Sequence, residues 1–126
     1  MKEIIAIVRQ NKVNVTKEAL AQAGFPAFNC RKVLGRGKKL IDMSMLRTIV
    51  ESGEVPAVQG EYLSETDRMI PKRMFTIIVE DSEAGAAVES IMEANSTGNP
   101  GDGKIFVLPI YENFRVRDGE LTTEAY

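Results

Sequence analysis

A glycine-rich run near the carboxyl end is the part of this sequence best suited to chemistry. Residues 98–104 read GNPGDGK, with the glycine, four-residue gap, glycine and lysine that open a P-loop. A P-loop continues with Ser or Thr for magnesium and runs from strand to helix, whereas here Ile105 follows and a helix precedes a strand. The glycines can still turn backbone N–H groups toward an anion, and Lys104 adds positive charge. An anion-binding loop and an ordinary tight turn both remain open.

Two arginines near the C-terminus form a second candidate site. Arg115 and Arg117 are separated by one residue, which would place both guanidinium groups on the same side of an extended segment. Paired guanidinium donors suit the oxygens of a phosphate. A solvated strand face is the alternative interpretation of the same pattern.

Composition excludes several other kinds of site. The chain has no histidine and a single cysteine, Cys30, which excludes Ser-His and Cys-His catalysis, an internal disulfide and a usual zinc site. The net charge of −2, with both signs interspersed, provides no large basic face for nucleic acid. The apolar run in MKEIIAIVRQ is shorter than a signal-peptide core or a membrane span, so we expect a cytoplasmic protein without membrane insertion.

The elements that position these residues alternate between strands and helices. With 126 residues, 44% of them hydrophobic, the chain is expected to form one domain over residues 1–126. Helices are predicted to follow caps at Asn14 and Ser82, and the first is predicted to end at Gly24. The predicted strands are Glu3–Arg9, Ala27–Leu34, Arg73–Glu80 and Lys104–Ile110.

The order of these elements predicts the fold. A βαββαβ chain is typical of the α+β, ferredoxin-like fold, an antiparallel four-stranded sheet with both helices on one face. Apolar side chains on the open face of that sheet predict self-association into an oligomer.

A long loop, residues 38–71, separates the second and third strands. It is far longer than a hairpin requires, and connections of this length are usually functional or disordered. Its first half has a candidate helix cap at Asp42 and apolar residues that favour a short amphipathic helix: Met43, Met45, Leu46, Ile49 and Val50. That helix would either insert into a partner or pack back on the folded domain, and the sequence favours neither alternative over the other. The second half is polar and is expected to be mobile without a ligand.

These segments together resemble the PII family of signal proteins. The run TGNPGDGKIF resembles the family's ATP-loop signature TG-x-x-GDGKIF, and FRVRDGE resembles its C-terminal R-x-R-x-GE segment. The resemblance extends to Arg9, to Gly35 and Gly37, and to Pro71-Lys72, so it covers nearly the whole chain. The opening MKEIIAIVRQ, the run IPKRM and the enlarged loop are most similar to the nitrogen-fixation branch, whose members work in pairs of related subunits.

The resemblance implies a trimer with ATP or ADP in the clefts between neighbouring subunits. Arg115 and Arg117 would reach the phosphates from the next subunit, and residues 111–126 would form a C-terminal segment. The residues implied to contact the nucleotide are Asn29, Gly35, Gly37, Lys38, Thr76, Ile78, Thr97, Gly101, Asp102, Gly103, Lys104, Arg115 and Arg117. The family also binds 2-oxoglutarate through magnesium, and the positions implied for that ligand are Arg9, Lys39 and Lys72.

Two departures from the family pattern concern the second ligand. The family's long loop begins G-x-G-x-Q-x-G, where the glutamine completes the magnesium shell, but this chain has Lys39 and then Ile41. An ammonium group has no lone pair for a cation, so magnesium and 2-oxoglutarate binding are left open. The spacing from Tyr62 to Lys72 differs from that of the family's modified tyrosine, so we do not expect uridylylation.

The resemblance implies a signal protein rather than an enzyme. Nucleotides and 2-oxoglutarate would control a long loop that binds a target, and the target implied for this branch is nitrogenase. The alternatives are a PII-like regulator of an ammonium transporter or metabolic enzyme, a purely structural assembly protein, and a small ATP-using enzyme. The enzyme is disfavoured because the chain lacks an evident base and a carboxylate cluster for magnesium. The subunit would assemble as a homotrimer or as a hetero-oligomer with a paralogous PII subunit.

Overall fold

The computed structural model describes residues 1–36 and 69–125, and the structural statements below concern those residues. The described chain contains, in order, β1 (Lys2–Arg9), α1 (Val13–Gln22), β2 (Asn29–Gly35), β3 (Ile70–Val79), α2 (Ala84–Asn95) and β4 (Gly103–Pro109). Two short strands, β5 (Asn113–Phe114) and β6 (Leu121–Thr122), pair as a C-terminal hairpin.

The chain divides into two compact units. One comprises Met1–Val33 with Pro71–Tyr126, and the other comprises Leu34–Ile70. The helix predicted after Asp42 and the polar half of the long loop lie outside the described residues.

The four long strands form one sheet with β1 and β3 in its interior. The strand order is β2-β3-β1-β4, and β1 is antiparallel to both of its neighbours. This is the ferredoxin-like arrangement, so the predicted fold class is confirmed. The register pairs Arg9 with Lys72 on β3 and Val8 with Gly103 on β4. The ends of three strands that carry predicted site residues therefore meet at one end of the sheet.

One face of the sheet packs on both helices. Alternate residues of β1 point to this face, and Ile4, Ala6 and Val8 are buried there, as the two-residue period of a strand requires. The other members of the buried core are Leu20, Phe25, Phe75, Ile77, Val79, Ala84, Ala87 and Ile91.

A polar pair is buried between the two helices. The Asn95 amide donates to Thr16 Oγ1 at 2.9 Å and to the Ile91 carbonyl at 2.9 Å, and the Thr16 hydroxyl donates to the Lys12 carbonyl at 2.7 Å. Thr16 and Asn95 are both almost fully buried between α1 and α2, so water cannot reach the Asn95 amide donors. These bonds satisfy those donors instead.

The opposite face of the sheet carries apolar side chains without a covering layer in the described chain. Ile5 and Ile7 of β1 are half-buried there, while Phe106 and Leu108 of β4 remain 45% and 39% exposed. This agrees with the apolar open face expected from the sequence.

The helix beginnings differ from the prediction. Asn14 lies inside α1, Ser82 lies in the 3-10 turn Asp81–Glu83, and neither helix has a side-chain cap hydrogen bond. Both predicted caps are wrong because a 3-10 turn precedes each helix, so the helical backbone begins before the expected capping residue. The predicted end of α1 is confirmed: Gly24 has φ 90°, and the Gly24 and Phe25 N–H groups donate back to Ala21 and Leu20.

Candidate functional site

The glycine-rich loop connects the end of α2 to the start of β4. Gly98, Gly101 and Gly103 have φ values of 82°, 98° and 116°, in the region that side chains disfavour. At Gly103 a side chain is also excluded sterically, because a Cβ there would overlap the backbone carbonyl of Ile7 on β1. The glycines therefore let the loop bend sharply and still pair closely with the central strand.

The carboxylate of Asp102 holds the loop together from within. Its Oδ2 accepts hydrogen bonds from the backbone N–H groups of Thr97, at 2.8 Å, and Gly98, at 3.0 Å. Its Oδ1 accepts short hydrogen bonds from the Thr97 hydroxyl and from the Arg9 guanidinium. These bonds join the two ends of the loop, with Thr97 and Asp102 five positions apart.

These contacts stabilise the charged form of Asp102. The Thr97 hydroxyl has the largest effect, and the Thr97 N–H, the Arg9 guanidinium and the Gly98 N–H add to it. Together they hold the pKa of the Asp102 carboxyl well below its usual range. Asp102 is therefore an anion at neutral pH.

Two cations at the ends of neighbouring strands support the loop from outside. Arg9, at the end of β1, donates to the Pro100 carbonyl at 3.0 Å in addition to Asp102. Lys72, which faces Arg9 across the β1–β3 pair, donates from Nζ to the Gly101 carbonyl at 3.0 Å. The structure thus brings together five predicted site residues, namely Arg9, Lys72, Thr97, Gly101 and Asp102.

Lys104 remains available to a ligand at the base of this loop. It lies on β4 opposite Ile7, is exposed, and makes no ion pair within the described chain. Its Nζ lies 5.8 Å from the centre of the Phe106 ring. Among residues 1–36 and 69–125 no hydrogen bond uses the backbone N–H group of Gly101, whereas the N–H group of Asp102 closes the turn through Pro100 and Gly101. An ammonium group and a free amide near glycines are donors that an anion such as phosphate requires.

A second group of predicted residues lines a cleft of about 320 Å³. Asn29, Thr76 and Ile78 border it together with Ala27 and Phe28. The remaining lining residue is Ala125, which sequence reasoning missed. The Ala125 N–H donates to the Glu80 carboxylate at 2.7 Å, and this bond fixes the C-terminal tail beside the cleft. No motif marks the tail, because its place depends on contacts with residues distant in the sequence, Glu80 and Asn113.

The arginine pair does not lie on an extended segment, so that prediction is wrong. Residues 116–118 form the turn between β5 and β6, and the Gly119 N–H donates to the Arg115 carbonyl at 2.7 Å. Asp118 and Gly119 cause the turn, since Gly119 adopts φ 72° and the Arg115 side chain pairs with Asp118 at 2.6 Å and with Glu120 at 3.3 Å. No described contact joins Arg115 or Arg117 to the glycine-rich loop of the same chain.

Other predicted residues fall at or beyond the limits of the described chain. Gly35 ends β2. Gly37, Lys38 and Lys39 lie outside the described residues, as does Tyr62, so their predicted roles remain predictions.

The fold and the loop together define a protein of the ferredoxin-like class with a candidate anion-binding loop. Its candidate site consists of a glycine-rich loop of defined backbone shape, the cations Arg9, Lys72 and Lys104, and the carboxylate of Asp102 within the loop. Among residues 1–36 and 69–125 there is no group of three metal-ligating side chains. In the same residues, none of the helices has the length and apolar character needed to cross a bilayer.

Comparisons with known proteins identify the family. Residues 1–120 match the family described as Nitrogen regulatory protein P-II. The chain is 45% identical over 125 residues to Nitrogen fixation nifHD region GlnB-like protein 2 of Methanothermobacter marburgensis, with 99% of each chain covered. It is 47% identical over 129 residues to the protein of the same name from Methanobacterium ivanovii, covering 99% of this chain and 98% of that one.

A solved structure supports the same assignment. The crystal structure of Arabidopsis thaliana PII bound to citrate matches with a TM-score of 0.68 and 26% identity, covering 98% of this chain and 87% of that one. The chain therefore belongs to the nitrogen regulatory protein P-II family, and its relatives are named for a nitrogen-fixation region. Members of this family are signalling regulators, so the protein is a nitrogen signal protein and not an enzyme.

Proposed function

We propose that the protein senses ATP and ADP at the loop Thr97–Lys104. The observation that carries this proposal is the pair of donors left unused among the described residues, the Lys104 ammonium and the Gly101 amide, on a loop already held in shape by the Asp102 carboxylate. Phosphate oxygens are the ligand atoms that such donors recognise. Lys104 would bind phosphate through its side chain, while Gly101–Gly103 would bind through backbone.

The base and ribose would occupy the cleft lined by Asn29, Thr76 and Ile78. Its mixture of an amide, a hydroxyl and apolar side chains suits a flat ring with polar edges. Arg115 and Arg117 would complete the site from a neighbouring subunit in a trimer, formed by this chain alone or with a paralogous PII subunit. The exposed apolar open face, including Phe106 and Leu108, supports such an assembly.

A carboxylate ligand such as 2-oxoglutarate would bind at Arg9 and Lys72. These two cations face each other across β1 and β3, and in the described part of the chain Arg9 pairs with the Asp102 carboxylate while Lys72 donates to the Gly101 carbonyl. Two positive charges placed opposite each other on neighbouring strands repel each other, so an anion bound between them is favoured. The Arabidopsis PII structure is described as bound to citrate, another carboxylate. Lys39 would add a third cation in place of the family's magnesium-binding glutamine, and magnesium would then contribute little.

The target would be nitrogenase, bound through the long loop 38–71. The names of the relatives from Methanothermobacter marburgensis and Methanobacterium ivanovii, which refer to the nitrogen-fixation nifHD region, support this target. An ammonium transporter or a metabolic enzyme is the alternative target within the same class of regulator.

The test of the nucleotide site is Lys104→Ala. Loss of a charge-assisted hydrogen bond costs about 1.5–3 kcal/mol, so ATP affinity measured by calorimetry is expected to fall about ten- to a hundredfold. Lys17→Ala is the matched control, since Lys17 is an exposed lysine on α1, away from the loop. Equal ATP affinity in wild type and Lys104→Ala would refute the phosphate assignment.

A further inference from the structure

We infer that Asp102 is a positioning residue, whose carboxylate shapes the glycine-rich loop from within and makes no contact with the nucleotide. Sequence resemblance placed Asp102 among the nucleotide contacts, but its hydrogen bonds assign it a different task. The effect on ligand affinity rests on the proposed ATP site, whereas the effect on the loop itself does not.

The Asp102 carboxylate has no acceptor capacity left for a ligand. An ionised carboxylate has about four lone-pair sites on its two oxygens. Four donors already use them: the Thr97 N–H and Gly98 N–H on Oδ2, and the Thr97 hydroxyl and Arg9 guanidinium on Oδ1. A ribose hydroxyl or a metal ion would have to displace one of these partners.

The charge of Asp102 also disfavours a direct contact with the nucleotide. Asp102 is charged, and a carboxylate close to a triphosphate would repel it unless a cation lay between them. Arg9 provides that cation, because its guanidinium pairs with Oδ1 and also donates to the Pro100 carbonyl at 3.0 Å. The carboxylate charge is therefore neutralised on the inner side of the loop.

Thr97 belongs to the same hydrogen-bond network. Its hydroxyl donates to Asp102 and accepts from the Asn99 N–H at 3.3 Å. Thr97 is thus a partner of Asp102 in holding the first turn of the loop. With both side chains directed into the loop, the Gly101 amide is left for the anion.

The experiment compares Asp102→Asn with Thr97→Val and Thr97→Ser. An Asn amide presents one oxygen and one NH₂, so it can keep the two backbone bonds only by turning its NH₂ toward Arg9 and the Thr97 hydroxyl. We expect the Thr97 and Gly98 amides of nucleotide-free Asp102→Asn to exchange with deuterium at least about tenfold faster than in wild type. Thr97→Val is expected to lie between wild type and Asp102→Asn, while Thr97→Ser keeps the hydroxyl and is expected to match wild type.

Affinity for ATP is then measured with magnesium and with chelator. A positioning role predicts that Asp102→Asn binds ATP about tenfold more weakly under both conditions, because the loop of this variant is disordered before ATP or magnesium binds. Lys104→Ala is the reference for a direct contact, with weaker ATP binding and unchanged exchange in the nucleotide-free protein. Circular dichroism confirms that each variant is folded.

Each other result has a distinct meaning. Unchanged exchange in Asp102→Asn together with weaker ATP binding would identify Asp102 as a ligand contact and overturn the inference. Loss of affinity only in the presence of magnesium would identify it as a metal ligand, with the same consequence. Faster exchange with unchanged ATP affinity would show that loop order is irrelevant to binding. If wild type bound no ATP, the proposed function would fail, while the exchange data would still decide what holds the loop.

Discussion

Replacing Gly103 with alanine tests whether the glycine-rich loop and the sheet depend on each other. Gly103 begins β4 opposite Val8 and has φ 116°. A Cβ at this position would overlap the Ile7 carbonyl and lie 3.2 Å from Val8 Cα. Both atoms belong to the backbone of the central strand, so relief requires β1 and β4 to separate locally.

The expected cost has two parts. A left-handed backbone conformation costs a non-glycine residue about 1–2 kcal/mol. Forcing extra volume into a packed site adds about 1–3 kcal/mol. Gly103→Ala is therefore expected to lower the free energy of unfolding by about 2–5 kcal/mol, a large fraction of the roughly 5–15 kcal/mol that stabilises an ordinary domain.

Two other glycines provide matched controls. Gly101 has a similar φ of 98°, but an added Cβ would meet only the flexible end of the Arg9 side chain, at 3.3 Å, so Gly101→Ala is expected to cost about 1–2 kcal/mol. Gly85 lies in α2 with nothing within 4 Å of an added Cβ, and Gly85→Ala is expected to stabilise by up to about 1 kcal/mol. Urea unfolding at one fixed protein concentration measures all three. Equal losses for Gly103→Ala and Gly101→Ala would refute the backbone overlap.

Two further predictions concern acid stability and assembly. The pKa of Asp102 is lowered in the folded state, so its contribution to stability is present above the unfolded value of about 3.9 and is lost as pH falls below it. The difference in unfolding free energy between wild type and Asp102→Asn should be constant from about pH 7 to 5 and shrink at lower pH; a difference that instead shrank between pH 7 and 5 would contradict this. Phe106→Asp, on the exposed open face, should reduce self-association in sedimentation experiments, whereas Val15→Asp, on a helix and equally exposed, should not. Unchanged assembly of Phe106→Asp would exclude this part of the open face from the interface.

The order of elements could be predicted because each strand carries its own local signal. The β-branched runs at Ile4–Val8 and Thr76–Val79 favour strands in any context, and Gly24 ends a helix through its own backbone freedom. The glycine-rich loop was also recognisable, since its function depends on residues that are adjacent in the sequence.

The features that the sequence did not indicate are decided by more distant contacts or by competing turns. The network around Asp102 could not be foreseen, because Arg9, 93 positions away, arrives beside it through the sheet. The Arg115 pair was expected to be extended, although the following Asp118-Gly119 is an ordinary turn signal that overrides the strand pattern. Near Asn14 and Ser82 a 3-10 turn starts the helical backbone earlier than expected. The residue types at those two positions do not indicate such a turn.

The central place of β1 in the sheet also sets the order in which a newly made chain can fold. Both hydrogen-bonding neighbours of β1 belong to the second half of the sequence, and the last of them ends at Pro109. At a synthesis rate of 5–20 residues per second, the apolar first strand waits roughly 5–20 s on the ribosome for its partners. Arg9 reaches the glycine-rich loop only after that strand has been placed, so a ligand of the loop can stabilise finished chains but not incomplete ones.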